Sequence, residues 1–380
     1  QVMSVTDELT GPGKPSFHLE EMVLNMGPQH PSTHGVLRLV LHLDGELAVS
    51  VEPVLGYLHR GFEKLAENRT YLQYLAMLSR LDYLSGSFME WSYVRSIEAL
   101  MNIEVPKRAE YIRVIVSELN RIISHEVAIG DFMLNLGAVT PFFWVFRDRE
   151  DVMDLLEMVT GQRMMYNYMR VGGVRWDLPE DFEAGCRKFL KGYPAKIDDY
   201  EKLITDNEIF ISRTLGMGII KPYEALDYGI SGPNARASGI DWDLRREVGY
   251  SVYPEFDFKV PLGQHGDCFD RYKCRIEEMR ESVKIVEQAL DAIRGGPVNL
   301  KLPPMLRPAA GDIYRAVESP RGEFGVYLVS NGGLRPWRLK LRDPTFSAIA
   351  MIPKLTAGNK IADLVAIVGS LDLLMGGVDR

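Results

Sequence analysis

The chain has 380 residues, 46% of them hydrophobic, enough for two or three ordinary domains or one large one, and too apolar for a disordered chain. Its formal charge of −8 leaves no electrostatic footprint for nucleic acid. The longest apolar runs, such as AVTPFFWVF (138–146), fall far short of the ~20 residues a membrane-spanning helix needs. Cys186, Cys268 and Cys274 form no CxxC pair, which argues against both a disulfide framework and a cysteine-ligated cluster. With no signal or transit pattern after Gln1, the expectation is a soluble subunit of a reducing compartment.

Strands come first. FHLEEMVLNM (17–26) and LRLVLHLDGELAVSVEPVL (37–55) alternate, and Asp44-Gly45-Glu46 suits a hairpin turn. Between them lies MGPQHPSTHGVLR (26–38), where His30 and His34, two of only seven histidines, stand four apart. That is metal-ligand spacing on a helix, yet Pro31 can open a helix at its first position and leave His30 outside the turn. The spacing admits three readings: a metal pair, ordinary polar histidines in a turn, or a loop histidine that titrates near neutrality as a proton donor. The turn is the commonest of the three.

Helical periodicity takes over near 65–102. Pro106 then marks a start for Ile112, Ile115, Leu119, Ile122 and Val127, a further stretch covers 147–160, and Phe269 to Ile293 repeats at three/four spacing with EEMRE on its polar side. RLDYLS (80–85) sets Arg80, Asp82, Tyr83 and Ser85 among leucines and methionines, where a buried ion pair is the ordinary reading. GISGPNARASG (229–239) reads as a small-residue loop, and RVGGVRWDLP (170–179) has glycines without a GxGxxG or Walker pattern, against a nucleotide site. KLPPMLRPAAG (301–311) reads as a linker, and residues 323–344 as a hairpin turning at Asn331-Gly332-Gly333. The fold class predicted is α+β: an N-terminal β-rich region (1–60), a helical core (61–300) built on a central bundle, and a C-terminal α+β region (301–380) that carries the hairpin and returns to the core.

MGPQHPSTHGVLRL, GYLHRGFEKL, RLDYLSG, LGAVTPFFWVFRDRE, GIDWDLRR, GDCFDRY with EEMRESVKI, and the terminal MGGVDR resemble, in order and over nearly the whole chain, the 49-kDa-type subunit of respiratory complex I. That subunit is the large, quinone-site member of the NADH:quinone oxidoreductase family and is similar in turn to the [NiFe]-hydrogenase large subunit, whose fold the resemblance implies here. The hydrogenases hold their metals with R-x-C-x-x-C and a C-terminal D-P-C-x-x-C-x-x-H. In this chain Asp82 and Ser85 stand for the first two cysteines, and Leu374, Gly377 and Arg380 for the last two cysteines and the histidine. Soft metals need those thiolates, so the resemblance implies no metal bound by this chain and a cavity left for a quinone head group.

By the same resemblance, His34 and Tyr83 match the catalytic pair that hydrogen-bonds the quinone carbonyls, and both side chains can donate a proton. His30, Arg60, Asp82, Ser85 and Asn135 match residues in or beside the pocket. The electron donor implied is a [4Fe–4S] cluster in an adjacent iron–sulfur subunit. Other implied partners are further peripheral-arm subunits and a membrane-arm subunit at the quinone channel. The activity implied is that of an NAD(P)H- or ferredoxin-driven quinone oxidoreductase, coupled to proton translocation and active only in the complex. Its place would be the cytoplasmic face of a bacterial plasma membrane, or the stromal or matrix side of an organelle membrane. A hydrogenase relative and a non-catalytic scaffold are the alternatives. Two positions depart from the family pattern: Asn135 replaces an aspartate that bonds the pocket histidine, and Met165 replaces a histidine near the cluster.

Overall fold

A computed structural model describes residues 22–29 and 35–380. Leu39, Leu41 and Leu43 alternate along Arg38–Asp44 and are all buried, the two-residue period of a strand with one face on a core. With β1 (Met22–Met26) on one side and β3 (Leu47–Val54) on the other, this strand, β2, forms an antiparallel sheet. The β2–β3 turn falls at Gly45-Glu46, with Asp44 paired to Leu47 and Gly45 at φ 60, as the DGE triplet predicts. Residues 17–21 of the first expected strand, and His30 and His34, lie outside the described residues.

The helical pattern near 65–102 is three helices: α1 (Phe62–Glu67), α2 (Tyr71–Leu78) and α3 (Gly86–Leu100). Thr70 and Gln73 form the capping box that starts α2. Pro106 stands before α4 (Lys107–Asn135), whose middle is buried on every side, including Glu118, Arg121, His125 and Glu126. A helix enclosed all round is the axis of a core. α5 (Val139–Thr160) starts at Val139 rather than near 147, because the aromatic run 142–146 is helical. A two-residue ladder, β4 (Met169–Arg170) and β5 (Gly173–Val174), leads to α6 (Phe182–Tyr200), which sequence reading missed. Its buried Phe182, Cys186, Phe189, Leu190, Tyr193 and Ile197 do keep helical spacing, with Pro194 inside the run as the discouraging signal.

Four short helices follow: α7 (Glu208–Thr214), α8 (Pro222–Asp227), α9 (Pro233–Ala237) and α10 (Leu244–Glu247). α9 corrects the loop reading of 229–239, since Gly232 turns the chain at φ 67 and Pro233 opens one helical turn. α11 (Cys268–Ala292) matches the expected helix and packs on α4. The predicted hairpin, β7 (Gly322–Ser330) with β8 (Arg338–Arg342), gains a third strand from β6 (Gly311–Ser319), which starts inside the expected linker. Exposed Asp312, Tyr314 and Arg315 hide its alternation from a sequence reading. The chain ends in α12 (Pro344–Ala350), α13 (Ile352–Thr356), α14 (Ile361–Ser370) and α15 (Met375–Val378).

The last segment returns to both the first sheet and the bundle. Ala48 donates its amide to Asn359 at 2.9 Å, α14 packs on α4 and α11, and Asp379 accepts the backbone amides of Gly56 and Leu58 at 2.9 and 2.7 Å. Inside the bundle, Arg236 reaches Glu278 at 2.6 Å and Glu318 at 2.8 Å, Arg245 reaches Asp243 at 2.7 Å, and His125 meets Glu278 at 2.8 Å. All are buried, so α4, α9, α10, α11 and β6 are keyed together by charges shielded from water.

Candidate functional site

Loop 79–85, between α2 and α3, carries the RLDYLS residues in sharply different settings. Asp82 and Ser85 are buried, while Tyr83 is 39% exposed in this chain alone. One carboxylate oxygen of Asp82 accepts the amides of Leu84 and Ser85 at 3.1 and 3.0 Å, an Asx turn that holds the loop's shape. The other accepts the Ser85 hydroxyl and Nη1 of Arg321, the latter at 2.7 Å. Arg321 lies in the tight turn between β6 and β7. Its Nη2 reaches Asp372 at 2.9 Å, and its Nε reaches the Asp372 carbonyl at 3.1 Å. One buried guanidinium therefore fastens three distant stretches of chain.

Two glycines let the C-terminal segment come this close. A Cβ on Gly376 would stand 2.4 Å from the Leu81 carbonyl oxygen, and one on Gly377 would stand 1.8 Å from a carboxylate oxygen of Asp343. Segments 80–85 and 374–380 thus meet. Asp343 caps α12 through the Thr345 amide at 2.8 Å, and burial together with the nearby Asp82 pushes its pKa up to about 6.

In front of this junction is a cavity of about 250 Å³, just below the usual range for small-molecule pockets. Tyr83, Arg321, Asp372 and, from α4, Asp131 line it, and Phe142, Phe146, Leu374 and Met375 supply apolar surface. Val36 also lines it. Burial raises the pKa of the Tyr83 phenol; Arg321 opposes this, while Asp82, Asp131 and Asp372 add to it. The phenol is thus a neutral donor at physiological pH, able to hydrogen-bond a carbonyl oxygen.

The other expected site residues are spread around the cavity. Arg60 is exposed, stacks on Phe62 at 4.6 Å, donates to the Arg80 carbonyl at 2.9 Å and braces the loop from behind, outside the lining. Asn135 donates through Nδ2 to Asp131 at 3.0 Å. Met165 stands at φ 57 in the loop after α5 and does not line the cavity. That loop is held by buried Glu90, whose carboxylate accepts the amides of Asn167, Tyr168 and Met169 at 2.7, 2.9 and 3.2 Å. Sequence reading missed Arg321, Asp372, Asp131, Asp343 and Glu90. Only Asp131 left a local signal, four residues before Asn135 on the same helix face.

The fold and site define an α+β protein that offers a small, partly apolar cavity with a phenol donor and a fixed charge cluster. Its residues 135–309 and 304–380 match the family described as respiratory-chain NADH dehydrogenase, 49 Kd subunit. The chain is 53% identical over 364 residues to an NADH-quinone oxidoreductase subunit of Clostridium beijerinckii, covering 96% of this chain and 98% of that one. The corresponding NADH-quinone oxidoreductase subunit of Desulforamulus reducens is 50% identical over 360 residues, 95% of this chain and 98% of its own. An NAD(P)H-quinone oxidoreductase subunit of Thermosynechococcus vestitus is 48% identical over 386 residues, 95% and 98% of the two chains. The chain belongs to the 49 Kd subunit family of respiratory-chain NADH dehydrogenase.

Proposed function

We propose that this chain, as a subunit of an NADH:quinone oxidoreductase complex, builds the pocket in which quinone is reduced, and that the cavity beside Tyr83 takes the quinone head group. The carrying observation is the Tyr83 phenol on a cavity wall that also has aromatic and aliphatic surface for a ring. Reduction of quinone to quinol consumes two electrons and two protons. Tyr83 donates to one carbonyl oxygen and His34 to the other, with imidazolium, the stronger acid, giving its proton first. Asp82 and Ser85 act from behind the wall by fixing Arg321 and the shape of the Tyr83 loop. His30 and Arg60 are assigned to the surroundings of the pocket, and Asn135 is an acceptor for the histidine.

Electrons come from a [4Fe–4S] cluster held by the neighbouring iron–sulfur subunit, with Met165 and its Glu90-anchored loop facing that subunit. The exposed Phe143, whose ring centroid lies 5.9 Å from that of Phe142, forms part of the same contact. Among the described residues no helix is long and apolar enough to cross a membrane. On this reading, attachment to the membrane arm, where protons are moved, is through other subunits, on the cytoplasmic side in a bacterium.

Tyr83→Phe tests the reading. The ring still packs and only the hydroxyl is lost, a stability change of about 1 kcal/mol. Quinone reduction by the assembled complex should fall at least about a hundredfold, the lower range for removing a positioned proton donor. NADH oxidation by a hydrophilic acceptor that bypasses the pocket should persist. Normal quinone turnover in this variant would reduce Tyr83 to packing.

A further inference from the structure

Behind the cavity beside Tyr83 lies a much smaller one of about 10 Å³, and Ala128, Gly369 and Asp372 belong to the lining of both. Arg275 of α11 and Asp372 bring the small cavity its charges, while Ile129 and Phe132 of α4 give it apolar surface. Both charged side chains are buried. Arg275 Nη1 donates to the carbonyls of Arg271 and Ser370, each at 3.0 Å, and Nη2 donates to Asn234 at 3.2 Å. Its Nε–H has no hydrogen-bond partner among the described residues. Asp372 is fastened through Arg321, which takes Oδ1 and the backbone carbonyl, while Oδ2 has no hydrogen bond from the described residues. One orphaned donor therefore stands 3.8 Å from one orphaned acceptor, too far for a direct hydrogen bond. Asp372 is also held at φ 55, a left-handed conformation that a non-glycine residue keeps only where its surroundings fix it.

We propose that this small cavity is a binding site for one water molecule, which accepts from Arg275 Nε, donates to Asp372 Oδ2 and so ties the wall of the quinone pocket to α11. A polar separation beyond about 3.5 Å is one that a bridging water closes. A volume of about 10 Å³ is just enough to hold a single water. The two orphaned atoms also select the occupant. A metal cation would meet the Arg275 guanidinium, an anion would meet the Asp372 carboxylate, and an apolar group would leave both atoms buried without a partner. Water accepts and donates at once. Asp372 thereby gains a second tether: Arg321 binds it to the β6–β7 turn, and the water binds it to α11. Its carboxylate stays against the wall and out of the space the ring takes. That effect on quinone rests on the pocket reading of the cavity beside Tyr83, whereas the water itself does not.

A cryo-electron microscopy map of the intact complex, at a resolution that shows ordered waters elsewhere in the bundle, tests the site directly. A peak should lie within about 3.2 Å of both Arg275 Nε and Asp372 Oδ2. No peak there among resolved waters would overturn the inference, and so would a direct bond between the two atoms. Arg275→Met removes the donor and keeps a long side chain, and the peak should vanish with it. In the assembled variant complex the KM for quinone should rise about threefold or more with kcat within about twofold, the pattern of weakened binding with the proton donor retained. NADH oxidation by a hydrophilic acceptor and the amount of assembled complex serve as controls. An unchanged KM in that variant would overturn the tether. Normal turnover in Tyr83→Phe, with the water peak present, would instead overturn the pocket reading and leave the water site standing.

Discussion

Glu126 illustrates what full burial does to one residue. It lies in the middle of α4, one carboxyl oxygen accepting the Tyr193 hydroxyl at 2.8 Å and the other without a partner among the described residues. Burial and the nearby Asp148 push its pKa up to about 8, so the folded chain keeps a proton at neutral pH that the unfolded chain, near 4.3, has released. Its contribution to stability is therefore complete below about pH 4 and is lost as pH rises to about 8. Glu126→Gln imitates the protonated acid. It should flatten the fall in melting temperature between pH 5 and 8 and raise the midpoint at pH 8 by a few degrees, as thermal melts of the purified chain would record. A decline of the same size in the variant would place the titrating group elsewhere. The site residues show the same dependence on surroundings: Asp82 and Tyr83 are chain neighbours, yet one is buried against Arg321 and the other is open to the cavity.

Helices α4 and α11 owe their register to charge as well as to apolar packing. Glu278 of α11 accepts from Arg236 of α9 and meets His125 of α4, and the Arg236 guanidinium beside it holds its carboxyl well below the usual range. Glu278→Gln removes the anion and leaves the Arg236 guanidinium buried with less compensation. The expected cost is about 3–5 kcal/mol, the scale for breaking a buried pair from one side. Chemical denaturation of the purified chain measures it, and a loss below about 1 kcal/mol would mean that Glu318 and Asp243 suffice for Arg236. Apolar periodicity found α4 and α11 because Ile112 to Val127 and Ile276 to Leu290 repeat cleanly. It missed α6, where Pro194 interrupts the pattern, and β6, where exposed polar residues dilute the alternation. In the fold Glu118, Arg121 and His125 of α4 are interior and paired.

Across the whole molecule, the cavity lies where loop 79–85, the β6–β7 turn, the end of α4, the start of α5 and the C-terminal segment converge. Its aromatic wall runs out to Phe143, 64% exposed beside buried Pro141 and Val145. Under the proposed contact with the iron–sulfur subunit, this ring lies in the surface that the subunit covers. Phe143→Asp should leave the melting temperature of the isolated chain within about 2 °C, since exposed sites change stability little. It should nevertheless reduce co-purification of the iron–sulfur subunit severalfold. Full recovery of that subunit would place the contact on another face.

The sequence by itself determined the class of fold, the long helices, the first hairpin and the family, because each rests on local spacing or on blocks of consecutive residues. It set Asp82, Tyr83 and Ser85 close together, read from the residues as a buried ion pair, and only the family resemblance assigned them to a pocket. It offered no sign that Arg321 joins Asp82 to Asp372, as those partners are 239 and 51 residues away. Asp131 and Asn135 stood at helical neighbour spacing in plain view, but spacing says only that two side chains share a face. Whether that face meets solvent, a core or a cavity depends on which other helices pack there, and here α5 and α14 made it a cavity wall. Packing brings together residues whose sequence separation carries no local signal, and it is packing that turned a row of acidic and aromatic side chains into one site.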